Sequence, residues 1–188
     1  MKIATNIFDF DEGILLENGK KLSSFKLMVE TYGELNQSKS NGVLLCHAFS
    51  GNHHAAGKNA DGLVGWWDQL VGPDKAIDTN KFFVVCCNNL GGCSGSSGPT
   101  EINPLSDEIY GKNFPQVSVE DWVNSQKILS DRLGISKWHF IVGGSLGGMQ
   151  ALQWAISYPD SVNRAGILAA AAKSSTQNIA MNEVARES

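Results

Sequence analysis

The chain lacks any apolar run approaching the roughly 20 consecutive residues that a membrane-spanning helix needs. Its N-terminus, Met1-Lys2-Ile3-Ala4-Thr5-Asn6, lacks the apolar core of a secretory signal. Lysine and arginine nowhere cluster, and the formal net charge is −4, so neither a membrane nor a nucleic-acid partner is expected. Cysteine is scarce. Cys46, Cys86, Cys87 and Cys93 lie in or just after apolar runs and show no C-x-x-C spacing, which reads as buried thiols in a reducing compartment. A cytoplasmic protein is the expectation. No internal repeat or low-complexity linker divides the 188 residues, of which 42% are hydrophobic. That suits one domain with a sizeable core and is too little for two large ones.

What the chain does have is a series of short, continuous apolar runs. Phe25 to Thr31 reads as a strand, with Tyr32-Gly33-Glu34-Leu35-Asn36 turning away from it. Val43–Cys46, Phe82–Cys87, Trp138–Val142 and Ala165–Ala169 follow. Runs that are continuous, not alternating, fit a parallel sheet covered on both faces. Helical signals fall between them. Ser118-Val119-Glu120-Asp121 is a capping-box-like start, Trp122, Val123, Leu129 and Leu133 form a stripe, and Gly134 is a C-terminal cap. After Ser145 a second helix is expected to bury Met149, Leu152 and Ile156 and to stop at Pro159. A helical pattern also runs from Ile179 to Glu187. The alternating order gives an α/β fold with right-handed crossovers.

The most informative stretch is Val142-Gly143-Gly144-Ser145-Leu146-Gly147-Gly148. It is a G-x-S-x-G pattern between a strand and a helix. A strand that reverses into a helix within one residue strains that residue, and small neighbours keep the turn from colliding with itself. The serine hydroxyl is then lifted to the carboxyl edge of the sheet. The Leu146 N–H stands at a helix N-terminus, where an oxyanion can be bound. Ser145 is therefore the candidate nucleophile. Two glycine-rich connections, Ala48–Gly57 and Asn88–Pro99, also follow strand carboxyl ends, the edge where open α/β sheets bind ligands. The second lacks the G-x-x-x-x-G-K-[ST] spacing of a phosphate loop.

A serine nucleophile needs a base and a group that orients it. His139 lies in the run leading to the serine and reads as structural. His47 ends a strand and is expected to organise the following loop by hydrogen bonding. The His53-His54 pair lacks the further ligands of a zinc site, so no metal is expected. In hydrolases with this elbow the triad runs Ser, Asp/Glu, His along the chain. After Ser145 come Asp160, Glu183 and Glu187 but no histidine, and Asp160 closes the helix facing away from the serine. The expectation is that residues 1–188 form the front portion of a larger domain, without its base and orienting acid.

Gly143-Gly144-Ser145-Leu146-Gly147-Gly148-Met149-Gln150-Ala151-Leu152-Gln153-Trp154 resembles the nucleophile segment of homoserine O-acetyltransferases. Leu90–Pro99 with Ile102-Asn103-Pro104 resembles that family's second signature. Tyr32–Asn36, Cys46–Gly51, Gln177–Ala180 and Asn182–Arg186 match as well. The resemblance implies an α/β-hydrolase fold with its C-terminal strands and lid missing from this chain. It implies transfer of an acetyl group, in some members a succinyl group, from the coenzyme A thioester to the hydroxyl of L-homoserine in methionine biosynthesis. Ser145 carries over as nucleophile, and the backbone N–H groups of Leu146 and Phe49 as the oxyanion hole. Phe49 stands where the family more often has leucine. Acetyl-CoA is then a co-substrate with no bound cofactor, and a homodimer is an expectation for the full-length protein. Three other readings stay open: a succinyltransferase, a serine esterase of the same fold, and a non-catalytic half-domain that binds a partner.

Overall fold

The apolar runs become the strands of one six-stranded sheet in the computed structural model, which describes residues 1–187. They are β1 (Ile3–Phe10), β2 (Phe25–Tyr32), β3 (Gly42–Cys46), β4 (Phe83–Cys87), β5 (Phe140–Gly144) and β6 (Ala165–Leu168). The sheet order is β1-β2-β4-β3-β5-β6. β1 pairs antiparallel with β2, and β2 with β4, while β4, β3, β5 and β6 run parallel. From β3 the chain moves to one side to make β4, then crosses back to make β5. That reversal places a topological switch point at the carboxyl ends of β3 and β5, where open sheets of this kind bind ligands.

Side chains alternate between two cores. Leu44, Cys46, Val85, Cys87 and Ile141 face the helices, packing with Val123, Leu129, Ala151 and Trp154. Val43, Leu45, Val84, Cys86 and Val142 face the other way, against Ala55, Ala56, Val71 and Ile77 of the segment between β3 and β4. Both faces of the inner strands are therefore dry, as their continuous apolar sequences require.

Helix α1 spans Val119–Leu133. Ser118 Oγ accepts the Asp121 N–H at 3.2 Å while Asp121 Oδ2 accepts the Ser118 N–H at 2.8 Å, a reciprocal capping box. Gly134 closes the helix in the left-handed conformation. Helices α2 (Leu146–Ser157) and α3 (Thr176–Glu187) follow.

Four expectations change. Tyr32 is the last residue of β2 and the turn begins after it. β5 starts at Phe140 and runs to Gly144, two residues later than the apolar run suggests, because Trp138 makes an isolated bridge to Val162. The buried face of α2 is Gly147, Gly148, Gln150, Ala151 and Trp154. Met149 and Leu152 are only partly buried, and Ile156 is 63% exposed. Close approach to the sheet favours the small residues, which turns the larger aliphatic ones outward. Finally, three cysteines are buried, but Cys93 is exposed in the loop after β4.

Candidate active site

Ser145 is the single residue between β5 and α2, with φ 54° and ψ −120°. A non-glycine residue held there costs on the order of 1–3 kcal/mol, which surrounding contacts must impose. A Cβ at Gly147 would lie 2.0 Å from the Cys46 carbonyl oxygen, and one at Gly143 would lie 2.3 Å from Gly147 backbone. The elbow is thus pressed against the end of β3, and only glycine fits at either flank. Ser145 N–H donates to Leu168 O at 2.9 Å, which ties the turn to β6. The serine is exposed, and among the described residues its hydroxyl has no hydrogen-bond partner.

Leu146 opens α2, so its N–H has no intrahelical acceptor. Phe49 lies in the turn after β3 with its side chain 88% exposed. Among the described residues neither N–H has a hydrogen-bond acceptor. Both residues line one cavity of about 180 Å³, together with His47, Gly51, Val117, Trp122 and the run from Asn88 to Ser94. Two loops, after β3 and after β4, and the start of α2 therefore meet at the switch point.

The loop after β4 owes its shape to its serines. Ser96 Oγ accepts the Met28 N–H at 3.0 Å and donates to Asn88 O at 2.5 Å, and Ser97 Oγ accepts the Lys26 N–H at 2.9 Å. Trp122 Nε1–H donates to Leu90 O at 2.8 Å, anchoring the loop to α1. Its glycines serve a backbone stitched to β2; they do not form a phosphate cradle.

Among the described residues no hydrogen bond joins any of the four histidines to Ser145. His47 is buried, with Nδ1 2.8 Å from Ala48 O and Nε2 accepting the Asn89 N–H at 3.1 Å; burial lowers its pKa. His54 is also occupied on both sides, by Glu30 Oε2 at 2.8 Å and Leu63 O at 3.1 Å. His53 is partly buried, its pKa lowered chiefly by desolvation, and it does not line the cavity of Leu146 and Phe49. His139 packs on Phe82 with ring centroids 5.0 Å apart, before β5 begins and so at the far end of that strand from Ser145. Asp160 is exposed in a turn at the other end of α2. No group of three or more His, Cys, Asp or Glu among the described residues could hold a metal ion.

Two buried polar networks brace the site, and neither is evident in the sequence. In the first, Gln150 Nε2 donates to His47 O at 3.3 Å, Gln126 Nε2 donates to Gln150 Oε1 at 2.6 Å, and Trp154 Nε1 donates to Gln126 Oε1 at 2.7 Å. This joins α1, α2 and the end of β3. In the second, Tyr32 Oη accepts the N–H groups of Ala55 and Ala56 at 2.6 and 3.1 Å and donates to Glu30. Desolvation, reinforced by Glu30, raises the tyrosine pKa. The lone acidic residue of β2, Glu30, is the one signal that could have pointed there.

Comparison with known proteins agrees with this architecture. The profile of the alpha/beta hydrolase fold matches residues 41–187. A homoserine O-succinyltransferase of Neisseria gonorrhoeae is 62% identical over 180 residues, covering 95% of this chain and 48% of its own length. Among solved structures, a homoserine O-acetyltransferase from Bacillus anthracis superposes with TM-score 0.82 at 39% identity, covering 88% of this chain and 46% of that one. Esterase E22 superposes with TM-score 0.89 at 38% identity, covering 97% and 52%. The chain spans about half the length of the curated relatives it matches. With a serine on a strained strand-to-helix elbow, a mostly parallel sheet around it and a matching profile over most of its length, the chain belongs to the alpha/beta hydrolase fold family.

Proposed function

We propose that this chain is the nucleophile-bearing portion of a homoserine O-acyltransferase of methionine biosynthesis. The observation that carries the proposal is the junction of Ser145 with two unpaired N–H groups, Leu146 and Phe49, beside one cavity. In the first half-reaction Ser145 Oγ attacks the thioester carbonyl of acyl-CoA and gives its proton to a base. Leu146 and Phe49 N–H groups hold the tetrahedral oxyanion, and coenzyme A leaves as the thiol with that proton. In the second, the homoserine hydroxyl loses its proton to the base and attacks the acyl-serine, releasing O-acyl-homoserine and restoring Ser145. The base, its orienting acid and a lid that keeps water from the acyl-serine come from outside residues 1–188. The likeness to homoserine O-succinyltransferases supports the succinyl donor named as the alternative to acetyl, and the likeness to a homoserine O-acetyltransferase supports the acetyl donor.

The test is coenzyme A release by the full-length protein, with succinyl-CoA or acetyl-CoA, with and without L-homoserine. Homoserine-dependent release, lost on Ser145→Ala, is expected. The likeness to esterase E22 supports a second reading, hydrolysis of simple esters. Ester cleavage through Ser145 with no homoserine-dependent release would establish that one instead.

A further inference from the structure

The peptide unit joining Ala48 to Phe49 carries both a carbonyl and the N–H assigned above to the oxyanion. Across a planar trans amide these two groups point in opposite directions, and the chain has no cis peptide bond. Whatever holds Ala48 O therefore aims Phe49 N–H. Two groups hold it, His47 Nδ1 at 2.8 Å and the Gly51 N–H at 2.9 Å. The first is a donor in only one neutral tautomer. His47 Nε2 accepts the Asn89 N–H at 3.1 Å, and a proton on that nitrogen would face another donor. The Asn89 backbone thereby puts the ring proton on Nδ1, opposite Ala48 O.

The surroundings leave little freedom. The His47 residue is 5% exposed. A Cβ at Gly51 would lie 2.9 Å from His47 Cβ, so the turn closes tightly against the base of the His47 side chain. The His47 carbonyl is itself tied to α2 by Gln150. Ring, main chain and turn are each fixed by a different element: the loop after β4, helix α2 and the loop after β3.

We propose that His47 is the positioning residue of the oxyanion hole: in its Nδ1–H tautomer, imposed by Asn89, it clamps the Ala48–Phe49 peptide so that Phe49 N–H faces the cavity shared with Leu146. The inference rests on the acyl-transfer reading for its chemistry. His47 touches no reacting atom; it acts through one peptide plane.

Two substitutions separate this role from others in the full-length protein. The amide of His47→Asn places a donor near the Nδ1 position and restores the bond to Ala48 O. The amide of His47→Gln reaches the Nε2 position, serves Asn89 and leaves Ala48 O without its side-chain donor. His47→Gln is expected to lower kcat about 10²-fold, the scale of a lost oxyanion donor, with KM little changed. His47→Asn should keep most of kcat. Equal kcat in wild type and His47→Gln overturns the proposal, and so does equal loss in both variants, the pattern of a ring needed as a base. Long-range nitrogen–proton NMR of the wild-type imidazole gives a reading that does not depend on either variant folding. Protonated Nδ1 with bare Nε2 supports the clamp, and the reverse tautomer overturns it. A wild type inert in the Ser145-dependent assay would sink the acyl-transfer reading alone, since the tautomer is read without turnover.

Discussion

At the scale of single residues, burial sorts the titratable groups into inert and available. Desolvation lowers the pKa of both His47 and His53. The folded chain therefore resists protonation that the unfolded chain accepts. Their contribution to stability is complete above the ordinary histidine value of 6.5, declines as pH falls below it, and is gone once pH has passed the lowered folded values. The melting temperature of the full-length protein should fall as the pH drops below 6.5, and His53→Gln should flatten that decline. A decline of unchanged steepness in the variant would exclude His53 as a contributor. The thiols divide the same way. Burial pushes Cys87 up to about 12 and Cys46 and Cys86 well above the usual thiol range. Cys93 is exposed and lines the cavity of Leu146 and Phe49. Within residues 1–188, native protein should yield one reactive thiol to an aromatic disulfide reagent, and denatured protein four. On the acyl-transfer reading, homoserine-dependent turnover should drop with the first, because the adduct fills the cavity.

At the scale of elements, the site depends on how closely α2 approaches the end of β3, and Gln150 and Gln126 are the struts. Replacing Gln150 with leucine leaves Gln126 Nε2 and the His47 carbonyl unpaired in a dry core. That should cost about 1–3 kcal/mol, the usual penalty for stranded polar groups. Replacing Gln126 as well removes one of those orphans, so denaturant unfolding of the double variant should show less than the sum of the single losses. Strict additivity would mean that the two amides do not act as a unit. These struts also mark the limit of what the sequence discloses. Inner strands were legible because a run such as Val43–Cys46 has no polar face to offer solvent. The elbow was legible because glycines at 143 and 147 are dictated by contacts under 3 Å. The expected loop-organising part of His47 matches its two hydrogen bonds. The buried face of α2 was not legible, since it consists of Gly147, Gly148, Gln150, Ala151 and Trp154 while apolar Met149, Leu152 and Ile156 lie outside. Hydrophobic periodicity reports which residues prefer burial, and a tightly docked helix instead buries those that fit. Glu30 and Tyr32 escaped notice for a related reason: apart from each other, their partners His54, Ala55 and Ala56 are brought near only by the segment after β3.

At the scale of the whole molecule, the sheet ends on an uncovered strand. β6 is the outermost strand, paired only with β5, and its Ile167 and Leu168 are exposed. An unpaired edge of this kind templates association with another chain. Helix α3 buries none of its residues among the described ones and presents Ile179, Met181 and Val184 to solvent. Along α2, Met149, Leu152 and Ile156 line an open groove with Ala171 and Ala172. Among the described residues no histidine is hydrogen-bonded to Ser145 either. Produced alone, residues 1–188 should therefore self-associate and fail to transfer an acyl group to homoserine. What remains without a base is the enhancement from oxyanion binding and positioning, roughly 10³–10⁴ over water and far below an intact triad. Light scattering after gel filtration reads the association, and coenzyme A release with and without homoserine reads the chemistry. The full-length protein should lose the self-association of exposed edges and gain turnover that Ser145→Ala abolishes. A monodisperse 188-residue chain with homoserine-dependent turnover at an ordinary enzymatic rate would mean that His47, His53, His54 or His139 reaches the serine after all. In that event His53 is the first to replace, since its Nδ1 is the one buried histidine nitrogen without a hydrogen-bond partner among the described residues.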